Sequence, residues 1–95
     1  MSLNNIKIEF EEENNSSVAY DRGVMVGECH FARLKDNWVI VHTGVSKEYG
    51  GQGIGKRLVE EVINQAAIEN VKIVPSCPFA KKLILNNPEK YANVL

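Results

Sequence analysis

Apolar and polar residues alternate over the first half of the chain and recur at helical spacing in the second. From Ile6 to Phe10, Ile6, Ile8 and Phe10 alternate with Lys7 and Glu9, the period of a half-buried edge strand. Glu11 to Asn15 is acidic and polar and predicts a solvated loop. Ser17 to Tyr20 is extended again, Asp21-Arg22-Gly23 supplies a turn, and Val24 to Phe31 resumes a strand, which together make a hairpin. After a second turn at Lys35-Asp36-Asn37, the run Trp38 to Val45 is apolar on both faces, so it is expected in the middle of the sheet. Ile54, Leu58, Val62 and Ala66 then recur every fourth residue with Val59, Ile63 and Ala67 beside them, while Glu60, Glu61, Asn64 and Gln65 take the other side. That is an amphipathic helix reaching Asn70. Val71 to Val74 is a β-branched run after a helical crossover and should lie parallel to the strand before the helix, with Pro75 ending it. Pro78 in the first turn of another helix makes Cys77 a candidate N-cap, with Phe79, Leu83 and Ile84 as its apolar residues; Asn87-Pro88 opens a last short helix through Tyr91 to Val94. The fold class is α/β (α+β): an antiparallel β-meander, then a helix, a parallel strand and short C-terminal helices.

The stretch Val45 to Arg57 joins the most apolar strand to the longest helix and holds Gly50, Gly51, Gly53 and Gly55. Glycines this close let the backbone take positive φ and approach a ligand with no Cβ in the way. The unpaired amides and positive dipole end of the following helix point at whatever the loop holds, which makes an anion site, most often for phosphate. Lys56 and Arg57 work against the dipole unless a ligand charge offsets them, or unless they pair with Glu60 and Glu61 one turn on. Gly50 to Lys56 fits the core of a P-loop, but Arg57 stands where a Ser or Thr must hold magnesium. A dinucleotide fingerprint fails as well, because the third glycine is not at the required distance and the preceding strands form hairpins. Neither ATP nor a dinucleotide is favoured.

Composition removes other classes. Ninety-five residues are enough for one core, so residues 1–95 are read as one domain. A formal net charge of −1 with scattered Lys and Arg offers no broad basic face for nucleic acid. No apolar run reaches the length of a membrane span, and Met1 to Asn5 shows no signal core, so a cytoplasmic protein is expected. Cys29 and Cys77 lie far apart with only two histidines to join them, which suggests neither a metal site nor a disulfide framework.

The run Val45-x-x-x-x-Gly50-Gly51-x-Gly53-Ile54-Gly55, between a meander and an amphipathic helix, resembles the acetyl-CoA diphosphate loop of GNAT N-acetyltransferases. His42-Thr43 before it and Pro75-Ser76-Cys77-Pro78-Phe79-Ala80 after the next strand resemble the small, single-domain GNAT-like branch, a likeness that covers Ser17 to Leu95. The resemblance implies a GNAT-like acetyl-CoA-binding domain in which acetyl-CoA is the acetyl donor. It places the diphosphate on backbone amides within Gly50, Gly51, Gln52, Gly53, Ile54, Gly55 and Lys56, and the pantetheine beside Thr43 to Val45. The strands ending at Val45 and Val74 would splay apart around it. Gly50 departs from the family pattern, which has Arg or Gln there, so the side-chain half of that clamp is missing.

His42 and Cys77 are the candidates for chemistry at the open end of such a gap. A histidine can take the proton of an attacking amine, or simply fill a place in a central strand with its nitrogens bonded. Cys77 at a helix N-terminus, with Lys81 and Lys82 a turn along, should have a lowered pKa and could form an acetyl-cysteine; otherwise it is a small core residue. Cys29 reads as packing and His30 as an outward polar residue. The resulting expectation is an acetyltransferase acting on an amine acceptor, small-molecule or protein. Its rival is a coenzyme A binding or sensing module without turnover.

Overall fold

The computed structural model describes residues 5–95; apart from Asn5, the segment read for a signal core lies outside them. Five strands, β1 (Ile6–Glu11), β2 (Ser16–Asp21), β3 (Val24–Arg33), β4 (Asn37–Val45) and β5 (Lys72–Pro75), join in that order into one sheet. The first four are antiparallel neighbours and β5 runs parallel to β4. Helix α1 (Ile54–Glu69) makes the crossover and α2 (Pro78–Asn86) follows β5. Glu11 extends β1, and the acidic loop is one 3-10 turn, Glu12–Asn14, closed by Asn15 at φ 51°. Pro75 is the last residue of β5 instead of its terminator, tolerated because β5 is an edge strand. The expected C-terminal helix is only a 3-10 turn, Ala92–Val94.

Helix α1 buries Ile54, Leu58, Val59, Val62, Ile63 and Ala66, the apolar stripe its spacing predicts, against one face of the sheet. The Ser17 hydroxyl donates to the Leu58 carbonyl at 2.7 Å inside this layer and fixes the helix on β2. At the end of the sheet away from the glycines, Phe31 stacks on Trp38 with ring centroids 4.5 Å apart and the Arg33 guanidinium lies 4.6 Å above the Trp38 ring. Asn70, left-handed at φ 60°, closes α1 by donating its N–H to the carbonyls of Ala66 and Ala67.

Strand β4 changes character halfway. His30 pairs with His42 but Phe31 pairs with Ile40, so Val41 is an extra residue without a partner, a β-bulge. The parallel ladder to β5 also stops at Ile40, whose carbonyl accepts the N–H of Ser76 at 3.0 Å and of Cys77 at 2.9 Å as the chain turns into α2. From Val41 to Val45, β4 therefore continues without β5 beside it; the strands stay paired as far as β5 runs, and the V is the notch at the free edge of β4 past Pro75. The central position expected for Trp38 to Val45 holds only through Ile40: Val41 is 51% exposed and His42 is exposed too.

Candidate active site

The bulge decides which residues look into the V. Side chains alternate along a strand, and one extra residue reverses the alternation beyond it. Trp38 and Ile40 face α1, and after Val41 it is Thr43 and Val45 that do so, while His42 and Gly44 face the opposite way. Two contacts fix this. Thr43 reaches the buried Cys29 sulfur at 3.5 Å, and a Cβ on Gly44 would come within 3.0 Å of His42 Nε2. His42 thus stands on the open face of the sheet, beside His30, whose Nε2 lies 2.8 Å from the Glu28 carboxylate. The fold does not bring His42 and Cys77 together.

Cys77 is the N-cap residue of α2, with extended φ and ψ and Pro78 at the first helical position. The residue is 6% exposed, and its sulfur lies 3.6 Å from the Thr43 hydroxyl. Burial alone would raise its pKa, but the N–H groups of Ala80, Phe79 and Thr43 and the Thr43 hydroxyl outweigh burial, so the pKa is lowered. Lys81 and Lys82, expected to cause the shift, are exposed and are not among the groups that produce it. Cys29 behaves in the opposite way: complete burial pushes its pKa up to about 11.

On the other side of the V the glycine loop begins with a 3-10 turn, Lys47–Tyr49, held by the Tyr49 hydroxyl donating to the Asp21 carboxylate. Gly51 and Gly53 have φ of 75° and 79°, left-handed values that favour glycine, and Gly53 is the N-cap of α1 without any side-chain cap. Arg57 is the first amide of the helix to be bonded, to the Gly53 carbonyl, so the N–H groups of Ile54, Gly55 and Lys56 have no partner within α1. Glu60 is held by Lys90 at 2.7 Å and by the Tyr91 hydroxyl at 2.8 Å, and Arg57 reaches the Ile6 carbonyl at 3.4 Å. The helical pairs Lys56 with Glu60 and Arg57 with Glu61 are not formed, and among the described residues Lys56 makes no ion pair.

Thr43, Val45, Gly50, Gly51, Gly53, Ile54, Gly55 and Lys56 line one cleft of about 350 Å³. Gln52 is not part of its lining. Tyr49 and Phe79 are, and the sequence did not mark them. Tyr49 carried no signal, and Phe79 reads only as an apolar residue of α2 within the Pro75-to-Ala80 run; it is 45% exposed with its ring against Gly55. No His, Cys, Asp and Glu side chains cluster to hold a metal among the described residues, and no helix there is long and apolar enough to cross a membrane.

Residues 10–94 match the family model for the GCN5-related N-acetyl-transferase. The chain belongs to this family. As a GCN5-related N-acetyltransferase it is similar to a GCN5-like protein from Staphylococcus aureus solved by NMR, with 36% identity and a TM-score of 0.71 over 95% of this chain and 87% of that one. The ribosomal-protein-S18-alanine N-acetyltransferase of Escherichia coli shares the fold at 20% identity and a TM-score of 0.67, covering 81% of this chain and 53% of that one. A GNAT-family N-acetyltransferase from E. coli, solved in complex with CoA, shares it at 22% identity and a TM-score of 0.58, covering 63% of this chain and 38% of that one. This chain therefore spans about half the length of the alanine N-acetyltransferase. A comparison with curated proteins gives no match.

Proposed function

We propose that this GCN5-related N-acetyltransferase binds acetyl-CoA in the cleft between the glycine loop and the V, and passes the acetyl group to an amine by way of Cys77. The observation that supports the reading is a pair of features: unpartnered amides at the start of α1, in the lining of the cleft, and a thiol of lowered pKa at the start of α2, outside that lining but beside its residue Thr43. The lining fits the donor. A diphosphate finds the N–H groups of Gly51 to Lys56, the ammonium of Lys56, and no acidic side chain in the first turn of α1. The stretch of β4 from Thr43 to Val45, paired with β3 on one edge and with no strand on the other, offers the backbone groups of its free edge to the amides of the pantetheine.

In the first step the Cys77 thiolate attacks the thioester carbonyl; a sulfur–carbon bond forms, and the bond to coenzyme A breaks as its thiolate leaves. The N–H groups of Phe79 and Ala80, at the start of α2, favour the Cys77 thiolate that makes this attack. In the second step a neutral amine attacks the acetyl-cysteine, the Cys77 thiolate is released, and the amine proton passes to solvent or a base. His42 is the candidate base for an amine arriving from the open face of the sheet.

Mass spectrometry after incubation with acetyl-CoA tests this, the expected result being one acetyl group on the Cys77 peptide, discharged when an amine is added. Tight binding in calorimetry, with Cys77→Ala transferring acetyl as fast as the native chain, would refute the acetyl-cysteine route. The separation of His42 from Cys77 favours the sensing module as the second reading, which predicts binding without transfer in either protein.

A further inference from the structure

The strongest unassigned feature is a single hydroxyl set between two sulfurs. Thr43 Oγ1 lies 3.5 Å from Cys29 Sγ and 3.6 Å from Cys77 Sγ, on the side of β4 that the bulge turns inward. The three groups come from three elements: Cys29 from β3, Thr43 from β4, Cys77 from the start of α2. Cys29 is fully buried and Cys77 nearly so, so bulk water does not supply the partners these atoms lack.

We propose that Thr43 and Cys29 form a reversible hydrogen-bond relay that positions and stabilises the Cys77 thiolate, Thr43 acting directly and Cys29 through Thr43. This deepens the proposed role of Cys77 and rests on it for its meaning in catalysis, though not for its test. With Cys77 protonated, its S–H donates to the Thr43 oxygen and the Thr43 O–H donates to Cys29, the assignment that fits the two distances. When Cys77 loses its proton through the V to solvent, it stops being a donor. The Thr43 hydroxyl carries only one proton, and a charged acceptor outcompetes a neutral thiol for it. The hydroxyl therefore turns to Cys77, and its oxygen is left open to the Cys29 S–H. Cys29 can donate because it keeps its own proton well above neutral pH in its dry position. No atom has to move far; only hydrogens are exchanged.

The other titratable groups near Cys77 do not offer this. Lys81 and Lys82 on α2 are exposed, Lys56 on α1 sits by the glycine loop, and His42 on β4 faces away. The sequence concealed the relay because Cys29 reads as packing and Thr43 as part of the cofactor edge.

The test is iodoacetamide alkylation of Cys77 across a pH series on the intact folded chain, resolved by peptide mass spectrometry, with buried Cys29 as the unlabelled control. Access to the thiol changes the plateau rate, whereas stabilisation of the thiolate changes the pH at which the rate rises. Thr43→Val should move that rise to higher pH and slow alkylation at neutral pH roughly tenfold, and Thr43→Ser should restore it. Cys29→Ala should slow it about twofold in the native background and have no effect beside Thr43→Val. An unmoved profile in Thr43→Val, or faster alkylation in Cys29→Ala, would overturn the relay. Because the assay uses no acetyl-CoA, a relay that behaves as stated without any acetyl adduct would locate the failure in the acetyl-cysteine reading instead.

Discussion

Gly50 is the point where the loop departs from its family and where a single side chain should be gained without strain. Its φ of −64° and ψ of 151° suit any L-residue, unlike Gly51 and Gly53, whose positive φ favours glycine. A Cβ built on it meets only the Lys47 carbonyl, at 3.4 Å, an ordinary contact. Gly50→Arg should therefore fold normally and add a guanidinium at the rim of the cleft beside Lys56. A charge-assisted hydrogen bond contributes about 1.5–3 kcal/mol when shielded. Gly50 is exposed, so we discount this to about 1–1.5 kcal/mol, or roughly five- to twelvefold in dissociation constant. Calorimetric titration with acetyl-CoA measures it, and the gain should shrink as salt is raised. Gly51→Ala is the contrast: the left-handed backbone costs about 1 kcal/mol or more and disturbs the amides, so stability and affinity should both fall. If Gly50→Arg keeps its melting temperature yet binds no better, the diphosphate does not lie over this loop.

Four further outcomes follow from the packing. Gly55→Ala puts a methyl within 3.0 Å of the far edge of the Phe79 ring, so the ring must shift; stability should hold or rise, since alanine suits a helix, while acetyl-CoA affinity measured by calorimetry falls. Cys29 keeps its proton in the folded chain up to a pKa of about 11 but releases it earlier when unfolded. Stability should therefore fall as pH rises from the unfolded thiol's range toward 11, by about 2–3 kcal/mol, in urea titrations, and Cys29→Ala should flatten that slope. Burial opposes ionisation of Glu60, but Lys90 and Tyr91 overcome it and hold its carboxyl below the usual range. Glu60→Gln should cost about 1 kcal/mol at neutral pH, with the difference from the native chain vanishing as pH falls through that depressed pKa. Deleting Val41 removes the bulge but keeps the pairings His30 with His42 and Phe31 with Ile40; circular dichroism should show a folded chain, and calorimetry a loss of acetyl-CoA binding as the V closes.

The residues that build the fold follow one period each, which is why they could be read. Helix α1 keeps its 3.6-residue spacing from Ile54 to Ala66 because only one of its faces packs on the sheet, and β1 keeps period two because Ile6, Ile8 and Phe10 pack on the core while Lys7 and Glu9 do not. The backbone of the glycine loop was legible for a similar reason: its glycines predict positive φ before the helix, and Gly51 and Gly53 take it beside an uncapped α1. Where the period breaks, the reading breaks with it. Strict alternation from Trp38 and Ile40 puts His42 on the core face and Thr43 outside, and nothing in Val-Ile-Val-His-Thr marks Val41 as the supernumerary residue. A bulge is set by how β3 and β4 register against each other, a long-range condition that local residue types do not encode. The same holds for Cys77. Its place at the start of α2 was visible from Pro78, but the reason its pKa falls lies in the amides of α2 and the hydroxyl of Thr43, not in the neighbouring lysines. The extra residue in β4 thus turns Thr43 toward the thiol and sends His42 to the opposite face of the sheet. Thr43, beside the Cys77 thiol, and His42 therefore lie on opposite sides of a single strand.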